Sequence, residues 1–384
     1  KTNEKQGKKT IFEPSSLPLQ QVYKPTPIMS LPEEMNPNPA EQAFNESSEN
    51  HNSGTSTPTS PDHWGRNRVD LSKVTAAVEE VRQELGKVIV GQTALIDLLL
   101  VALFADGHVL LEGVPGIAKT LTAKLLAQTL DVEFSRIQFT PDLMPSDVIG
   151  TSVFNQKTVD FSFKAGPIFA NVVLIDEINR APAKTQAALF EVMEEAQVTV
   201  DGATYHLEYP FFVMATQNPI EQEGTYKLPE AQLDRFLMKI IIDYPTLEDE
   251  KNILRRFRKE SKVDLQKEVK KVLSPAKVKA CRELIEEVFI EDHLLDYIAT
   301  IVTQTRSHGD LYLGASPRAS LAILRSSKVV AAISGRDFVT PEDIQYVAYP
   351  VLNHRIILQP EREMEGFETK DVIKDILAKI EVPR

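Results

Sequence analysis

The amino-acid sequence predicts an α/β fold in which a parallel sheet lies between helices, followed by a smaller all-helical domain and preceded by a disordered tail. The first observation is a set of almost continuously apolar segments, at 109–111, 172–175 and 211–216, which alternate with helical patterns. Such segments are typical of parallel strands covered on both faces. The second observation is that, after Pro245, only helical periodicity remains.

The N-terminal segment has the composition of a chain that does not fold by itself. Residues 1–68 are rich in Pro, Ser, Asn, Thr and Glu. They offer too little apolar surface to offset the entropy lost on ordering, which predicts a disordered, low-complexity tail. We therefore expect a tail at 1–68, an α/β core at 69–246, and a linker with a helical domain at 247–384.

Charge and cysteine content limit the function classes. The chain has 384 residues and a formal net charge of −12, and because neutralising phosphates requires a basic surface, nucleic acid is not an expected partner. Cys281 is the single cysteine, so no intrachain disulfide forms, which is compatible with a cytoplasmic location. We find no run of about eighteen apolar residues that would span a membrane.

Two segments interrupt the alternation of strands and helices in the core. Residues 151–169 and 198–207 each read as two short strands around a polar turn, and Asp201-Gly202 is a dipeptide that favours a type I′ hairpin turn. Both segments are predicted to be hairpin insertions. Helices of the second domain are predicted at 247–261, 275–288, 292–306, 317–333 and 341–351.

A glycine-bearing turn connects the apolar run 108–112 to a helical pattern that ends near Leu130. Strand, turn and helix in this order form a phosphate-binding loop, in which backbone N–H groups and the helix N-terminus bind phosphate oxygens. Lys119 would reach the β- and γ-phosphates, and the Thr120 hydroxyl would ligate Mg²⁺. Ala118 replaces the usual glycine before the lysine, and it fits only with a negative φ, as expected where a helix begins. The loop and its flanking residue are Gly113, Val114, Pro115, Gly116, Ile117, Ala118, Lys119, Thr120 and Leu121.

Acidic and amide side chains follow the next two apolar strands. Asp176 and Glu177 end the run 172–175, and Asn218 follows the run 211–216. Because open parallel sheets bind ligands at the carboxyl ends of their strands, Asp176 is expected to hold Mg²⁺ and Glu177 to orient the attacking water. Asn218 precedes a proline, so it either hydrogen-bonds the γ-phosphate or the water or forms an ordinary turn.

Taken together, these motifs resemble the AAA+ ATPases and, more narrowly, the MoxR family. The resemblance covers about residues 70–350 and includes the alanine in the phosphate loop. Its most specific segments are Val88-Ile89-Val90-Gly91-Gln92, the loop 113–120, Asp176-Glu177-Ile178-Asn179-Arg180-Ala181-Pro182, Thr216-Gln217-Asn218-Pro219 and Ala231-Gln232-Leu233-Asp234-Arg235-Phe236.

The resemblance gives roles to residues that are uninformative alone. It implies that Val90, Gly91 and Gln92 line the adenine pocket, and that Asn218 is the first sensor. It implies that Arg318, on the helical lid, is the second sensor and that Arg235 is an arginine finger on the neighbouring subunit's ATP. Taken as isolated residues, the two arginines would more often be surface salt-bridge partners. A finger supplied by a neighbour requires a ring, for which the resemblance implies a hexamer.

The resemblance also implies a function, which is an ATP-driven, chaperone-like factor that remodels or matures partner proteins. In this family the partners commonly carry von Willebrand factor A domains, and the task is often metal-cofactor insertion or complex assembly. ATP and Mg²⁺ are the expected cofactors. The alternatives are the ATPase subunit of a metal chelatase, a nucleic-acid translocase, and a nucleotide-sensing module without hydrolysis. Glu177 and Arg235 weigh against the last of these.

Overall fold

The computed structural model describes residues 68–114, 118–157, 159–218, 226–259 and 265–383. Residues 1–67 of the predicted tail therefore lie outside the described part, as does Pro115–Ile117 of the phosphate loop. In chain order the core contains α1 (Ser72–Gly86), α2 (Thr93–Phe104), β1 (Val109–Gly113), α3 (Lys119–Thr129), β2 (Phe134–Gln138), α4 (Pro145–Ile149), β3 (Gly150–Asn155), β4 (Asp160–Ala165), β5 (Val172–Asp176), α5 (Ala183–Glu195), β6 (Gln197–Val200), β7 (Ala203–His206), β8 (Phe212–Gln217), α6 (Glu230–Leu233) and β9 (Met238–Ile242).

Helices dominate the rest of the chain, which we call the lid. In chain order it contains α7 (Leu247–Lys259), α8 (Pro275–Glu286), α9 (Asp292–Ser307), β10 (Leu311–Leu313), α10 (Pro317–Ile333), α11 (Pro341–Leu352), β11 (Ile357–Leu358), α12 (Pro360–Met364) and α13 (Thr369–Lys379). The strands β10 and β11 pair as a short antiparallel ribbon. The lid is thus helical as predicted, but the expectation that strands end at Pro245 is wrong for this ribbon, whose strands are too short to show alternation.

The main sheet has five parallel strands in the order β2-β5-β8-β1-β9, which confirms the predicted parallel sheet. β9 was not predicted, because Lys239 interrupts its apolar run. Alternate residues of β5 enter different cores. Val172 and Leu174 pack in the cluster that contains α1 and α2, while Val173 and Ile175 pack in the cluster that contains α5. The sheet is therefore covered on both faces.

Both insertions are antiparallel hairpins, as predicted. β3 pairs with β4 from Gly150↔Ala165 to Asn155↔Asp160, and β6 pairs with β7 across Asp201-Gly202. Asp201 and Gly202 have φ of 51° and 80°, the positive values that a type I′ turn requires. The hairpins touch each other, since the rings of Phe163 and Tyr205 stack with centroids 4.2 Å apart.

The lid packs directly against the α/β core. Helix α10 lies against α1 and α2, and α11 lies against β9. Buried residues of α8, α9, α10, α11 and α13 join those of α1 and α2 in one hydrophobic cluster, so the burial of apolar surface favours this lid position. Among the described helices, none combines the length and apolarity needed to cross a membrane.

Candidate functional site

The carboxyl ends of β5, β8 and β1 lie side by side at one edge of the sheet. Asp176 ends β5, Asn218 directly follows β8, and Gly113 ends β1. The fold therefore brings together the acidic pair, the candidate sensor and Gly113, the first residue of the predicted phosphate-binding loop. We call this edge the carboxyl edge and the opposite edge of the sheet the amino edge.

Lys119 is the first residue of α3, and its Nζ donates to the carbonyl oxygen of Gly113. Burial lowers the pKa of Lys119, and the nearby carboxylates of Asp176, Glu112 and Glu177 oppose this shift. The ammonium group thus lies among carboxylates, at the N-terminus of a helix whose first backbone N–H groups have no partner within the helix. Thr120 and Leu121, also in the first turn, are half-buried.

Ala118 has a φ of 62° and lies in the left-handed region, so the expected negative φ is wrong. Helix α3 begins at Lys119, and Ala118 is the residue that precedes it, so helical φ and ψ are not imposed on it. Its carbonyl oxygen accepts from the N–H of Thr122 and from the Thr122 hydroxyl. An alanine in this region costs about 1–2 kcal/mol relative to a right-handed conformation, so the backbone is strained at Ala118.

Asp176 and Glu177 are fixed by one hydroxyl group. Thr216 Oγ1 accepts the N–H of Glu177 at 3.0 Å and donates to the Asp176 carboxylate at 3.3 Å. Asp176 is buried, with 7% of its surface exposed. Glu177 has a φ of 57°, and a strained backbone of this kind is typical of positions where a side chain must be aimed.

Sequence reasoning missed the polar residues of β2 that contact this pair. Arg136 Nε donates to the Asp176 carboxylate at 2.6 Å, and the Gln138 amide donates to Glu177 Oε2 at 2.7 Å. Arg180 also pairs with Glu177, at 3.0 Å. The polar alternation at 136 and 138 was a signal, but its meaning depends on β2 being the neighbour of β5, which the sequence does not state.

The residues at the carboxyl edge fit a Mg²⁺ ion. Thr120 offers a hydroxyl oxygen and Asp176 a buried carboxylate, and Mg²⁺ prefers oxygen ligands, usually one or two carboxylates together with waters and substrate phosphates. Asp176 is held on both oxygens by Arg136 and Thr216, so a cation would compete with Arg136 for it.

Val90, Gly91 and Gln92 lie in the turn before α2. Gly91 has a φ of 74°, and a Cβ atom placed on it would lie 2.3 Å from the Asp249 side chain of α7. Both the backbone conformation and the lack of space require glycine there. The structure thus brings the turn at 90–92 against the start of the lid.

Arg235 lies at the amino edge, away from the phosphate loop of its own chain. Strand β9 runs parallel to β1 with Met238 opposite Val109, and the N–H of Leu237 donates to His108. The loop leaves β1 at its other end, about 13 Å further along a strand of five residues. Arg235 contacts the Phe190 carbonyl oxygen and the Glu194 carboxylate, both at 2.7 Å.

Arg318 lies beside Arg235. Its guanidinium binds the other carboxylate oxygen of Glu194 at 2.6 Å, and Glu194 lies at the C-terminal end of α5, where the Met193 carbonyl contacts His108 Nε2. The structure therefore separates the predicted site residues into two groups. Gly113, Lys119, Asp176, Glu177 and Asn218 lie at the carboxyl edge, and the two arginines share one carboxylate at the amino edge.

Comparisons with known proteins agree with this architecture. A family model for ATPases associated with various cellular activities matches residues 108–238, and a model of the AAA lid domain matches residues 303–376. The chain is 43% identical to Chaperone MoxR1 of Mycobacterium tuberculosis over 323 residues, which are 82% of this chain and 84% of that protein. It is 45% identical to the uncharacterized protein YeaC of Bacillus subtilis over 301 residues, covering 78% of this chain and 93% of that one.

A crystal structure of a candidate ATPase from Cytophaga hutchinsonii superposes with a TM-score of 0.75 at 47% identity. The match covers 81% of this chain and 96% of that chain. Both the α/β core and the lid are therefore shared with proteins of known sequence and structure.

Proposed function

The chain belongs to the MoxR family of AAA ATPases, and from that premise we propose that it forms a ring in which ATP hydrolysis to ADP and phosphate drives the remodelling of partner proteins. The observation that carries the proposal is the separation of two half-sites. The phosphate loop lies at the carboxyl edge and Arg235 lies at the amino edge of the same sheet. A subunit therefore needs a neighbour to complete its site.

The carboxyl edge binds the nucleotide and the water. Lys119 and the first N–H groups of α3 hold the phosphate oxygens, while Val90, Gly91 and Gln92 contact the base. Glu177 accepts a hydrogen bond from the attacking water and orients it in line with the γ-phosphate, and Asn218 binds the γ-phosphate or that water. Phosphoryl transfer needs positioned charge more than covalent help from the protein, which this edge supplies.

Thr120 and Asp176 would hold Mg²⁺. When bound, the ion neutralises the negative charge that develops on the phosphate oxygens.

The amino edge supplies the positive charge across the interface. Arg235 serves as the finger on the neighbour's ATP, and a finger supplied by a neighbour is typically worth about 10³–10⁵ in rate. Arg318 shares Glu194 with Arg235, so we assign it to the same neighbour's γ-phosphate. A ring of six identical subunits satisfies every site in this way, because each subunit contributes one carboxyl edge and one amino edge.

The work done by the ring is chaperone-like. The Mycobacterium tuberculosis relative carries the name of a chaperone, and a lid joined to the core next to the arginines is suited to transmit hydrolysis as movement. The client would be a partner protein that matures through the ring, such as one with a von Willebrand factor A domain. The negative net charge weighs against a nucleic-acid client.

The proposal is tested by measuring phosphate release from ATP, per subunit and with Mg²⁺, over a wide range of protein concentrations. We expect the specific rate to rise with concentration, in parallel with the ring fraction in a sizing experiment at each dose. Glu177→Gln is expected to bind ATP normally and to hydrolyse it at least about 10²-fold more slowly.

Two results would contradict the proposal. One is full turnover by a species that sizing shows to be a monomer, which would mean a site completed within one chain. The other is normal hydrolysis by Glu177→Gln, which would remove this carboxylate from the water-orienting role. DNA or RNA added to the same assay is expected to leave the rate unchanged, whereas a translocase would be stimulated.

A further inference from the structure

We propose that Arg355, a residue of the lid, is a positioning residue that acts through Arg235 and so aims the arginines of one subunit at the ATP of the next. This inference rests on the proposed function, because it assigns a role within an inter-subunit site. Arg355 follows α11 and is almost completely buried, with 3% of its side chain exposed. Polar contacts, and not apolar packing, hold this buried residue, because its guanidinium makes several hydrogen bonds.

The partners of Arg355 are concentrated on the turn that carries Arg235. Its Nε donates to the Asp234 carboxylate at 2.7 Å, and its two terminal nitrogens donate to carbonyl oxygens of that turn and of α11. The carbonyl acceptors are those of Asp234, Phe236, Leu237 and Val351. A planar guanidinium with five N–H donors can hold several acceptors in fixed directions, and a lysine cannot.

The residues next to Arg355 bind the same turn and strand β9, which follows it. The Asn353 amide donates to the Lys239 carbonyl at 3.1 Å, and His354 Nε2 lies 3.1 Å from the Phe236 carbonyl. A carbonyl oxygen only accepts, so Nε2 of His354 is the donor in this contact. Burial lowers the pKa of His354 well below its ordinary value, with Arg355 adding to the shift.

Asp234 connects this contact to the second arginine. One of its carboxylate oxygens binds Arg355, and the other accepts the Ser316 hydroxyl at 2.7 Å. Ser316 is the N-cap residue of α10, two residues before Arg318. Asp234 therefore fixes the backbone at both arginines, while Glu194 joins their side chains. The lid and the turn at 234–237 thus form one unit, so any displacement of the lid displaces both arginines.

The test is the substitution Arg355→Lys, which keeps the positive charge but loses the planar guanidinium and its N–H donors. We expect turnover to fall by roughly 10–100-fold, since a catalytic group misplaced by about 1 Å can cost about 10²-fold. ATP affinity is expected to stay within about twofold of wild type, because the phosphate loop lies at the other edge of the sheet.

Arg282→Lys is the matched control. Arg282 is also a buried lid arginine, with 10% of its side chain exposed, and it also joins lid to core through a carbonyl, that of Leu103, and a carboxylate, that of Asp106. It contacts the end of α2 instead of the Arg235 turn. We expect the two variants to lose a similar amount of thermal stability. At temperatures where both are folded, we expect only Arg355→Lys to lower turnover.

Mixed rings separate positioning from a merely structural role. A subunit with Arg355→Lys keeps its own phosphate loop and Glu177, and a subunit with Glu177→Gln keeps its own arginines. Rings that contain both are therefore expected to recover turnover. Arg355→Lys should cost less turnover in an Arg235→Ala background than in the wild type, because only Arg318 is then left to be misplaced. Failure to recover in rings shown to be mixed, or an undiminished loss in the double variant, would overturn the proposal.

A milder pair of substitutions tests the proposal if the Arg355→Lys variant does not fold. Ser316 and Ser274 are both N-cap residues followed by proline, and each accepts a backbone N–H, but only the Ser316 hydroxyl donates to Asp234. Ser316→Ala should lower turnover several-fold, and Ser274→Ala should not. Equal turnover in the two would overturn the link between lid and finger. Wild-type rings that fail to hydrolyse ATP would instead contradict the proposed function itself.

Discussion

The two edges of the parallel sheet differ in the charge that they present. At the carboxyl edge, the carboxylates of Asp176 and Glu177 lie near the ammonium of Lys119. At the amino edge, Arg235 and Arg318 share the carboxylate of Glu194. The carboxyl edge is therefore suited to bind phosphates together with a cation, and the amino edge is suited to bind phosphates without one. The difference teaches that each edge is half of a site and that the complement of each is on another copy of the chain.

The two edges also differ in how they are held. Residues of the carboxyl edge directly follow buried strands of the core, whereas those of the amino edge are fastened by Arg355 and Ser316 of the lid. A change in the lid should therefore alter the arginines first.

The largest effect is expected from Arg235→Ala, which should lower turnover by about 10³-fold or more without lowering ATP affinity. Lys119→Ala should lower the affinity itself, because it removes the phosphate-binding ammonium. Nucleotide titration and phosphate release on both variants check this contrast. If Arg235→Ala weakens ATP binding to isolated subunits as much as Lys119→Ala does, the arginine serves its own chain and the comparison of edges fails.

A smaller loss is expected from Arg318→Ala, about 10²–10³-fold, as for the removal of one preorganised donor. Because Arg318 lies at the amino edge, rings that also contain Glu177→Gln subunits should recover part of the rate. The control is Arg325→Ala, which removes an exposed arginine from the same helix. No recovery in rings of verified mixed composition would place Arg318 on its own subunit's nucleotide.

Acid should destabilise the fold through two buried histidines near the amino edge, His108 and His354. Burial lowers the pKa of His108 and, more strongly, of His354, from an ordinary value of 6.5. Above that value both rings are neutral in the folded and unfolded states. As pH falls below about 6.5, the unfolded chain binds protons that the folded chain does not, so stability falls by up to about 1.4 kcal/mol per pH unit for each histidine.

Denaturant unfolding between pH 7.5 and 5.5 measures this dependence. His354→Gln should reduce the slope, and His293→Gln, which changes a half-exposed histidine, should not. A stability that stays constant over this range would show that neither ring resists protonation.

The smallest effect concerns strain at the carboxyl edge. Ala118 has a φ of 62°, so Ala118→Gly should stabilise the protein by about 1 kcal/mol, which raises Tm by about 2 °C in a chain of this size. Ala187→Gly, on the exposed face of α5, is the control and should destabilise by about 1 kcal/mol. Thermal unfolding compares them, and a loss of stability in Ala118→Gly would mean that the left-handed conformation costs nothing there.

Much of the carboxyl edge could be predicted from the sequence because its signals are local. A buried strand, a glycine-bearing turn and a Lys-Thr pair are contiguous, and so are the run 172–175 and its two acids. The backbone of Ala118 was predicted incorrectly, because a residue just outside a helix is governed by the path of the loop. Arg136 and Gln138 were missed because their contacts with Asp176 and Glu177 depend on which strand lies next to β5.

The sequence by itself determined the parallel α/β core, the two hairpins, the helical lid and the residues that follow each strand, because hydrophobic periodicity and turn chemistry act over a few neighbouring residues. Only the tertiary structure decided that Arg235 and Arg318 share Glu194 at the edge opposite the phosphate loop, and that Arg355 holds their turn. Arg318 is 124 residues from Glu194, and Arg355 is 121 residues from Asp234. Contacts over such separations are set by how the lid packs on the core, a property that no local pattern encodes.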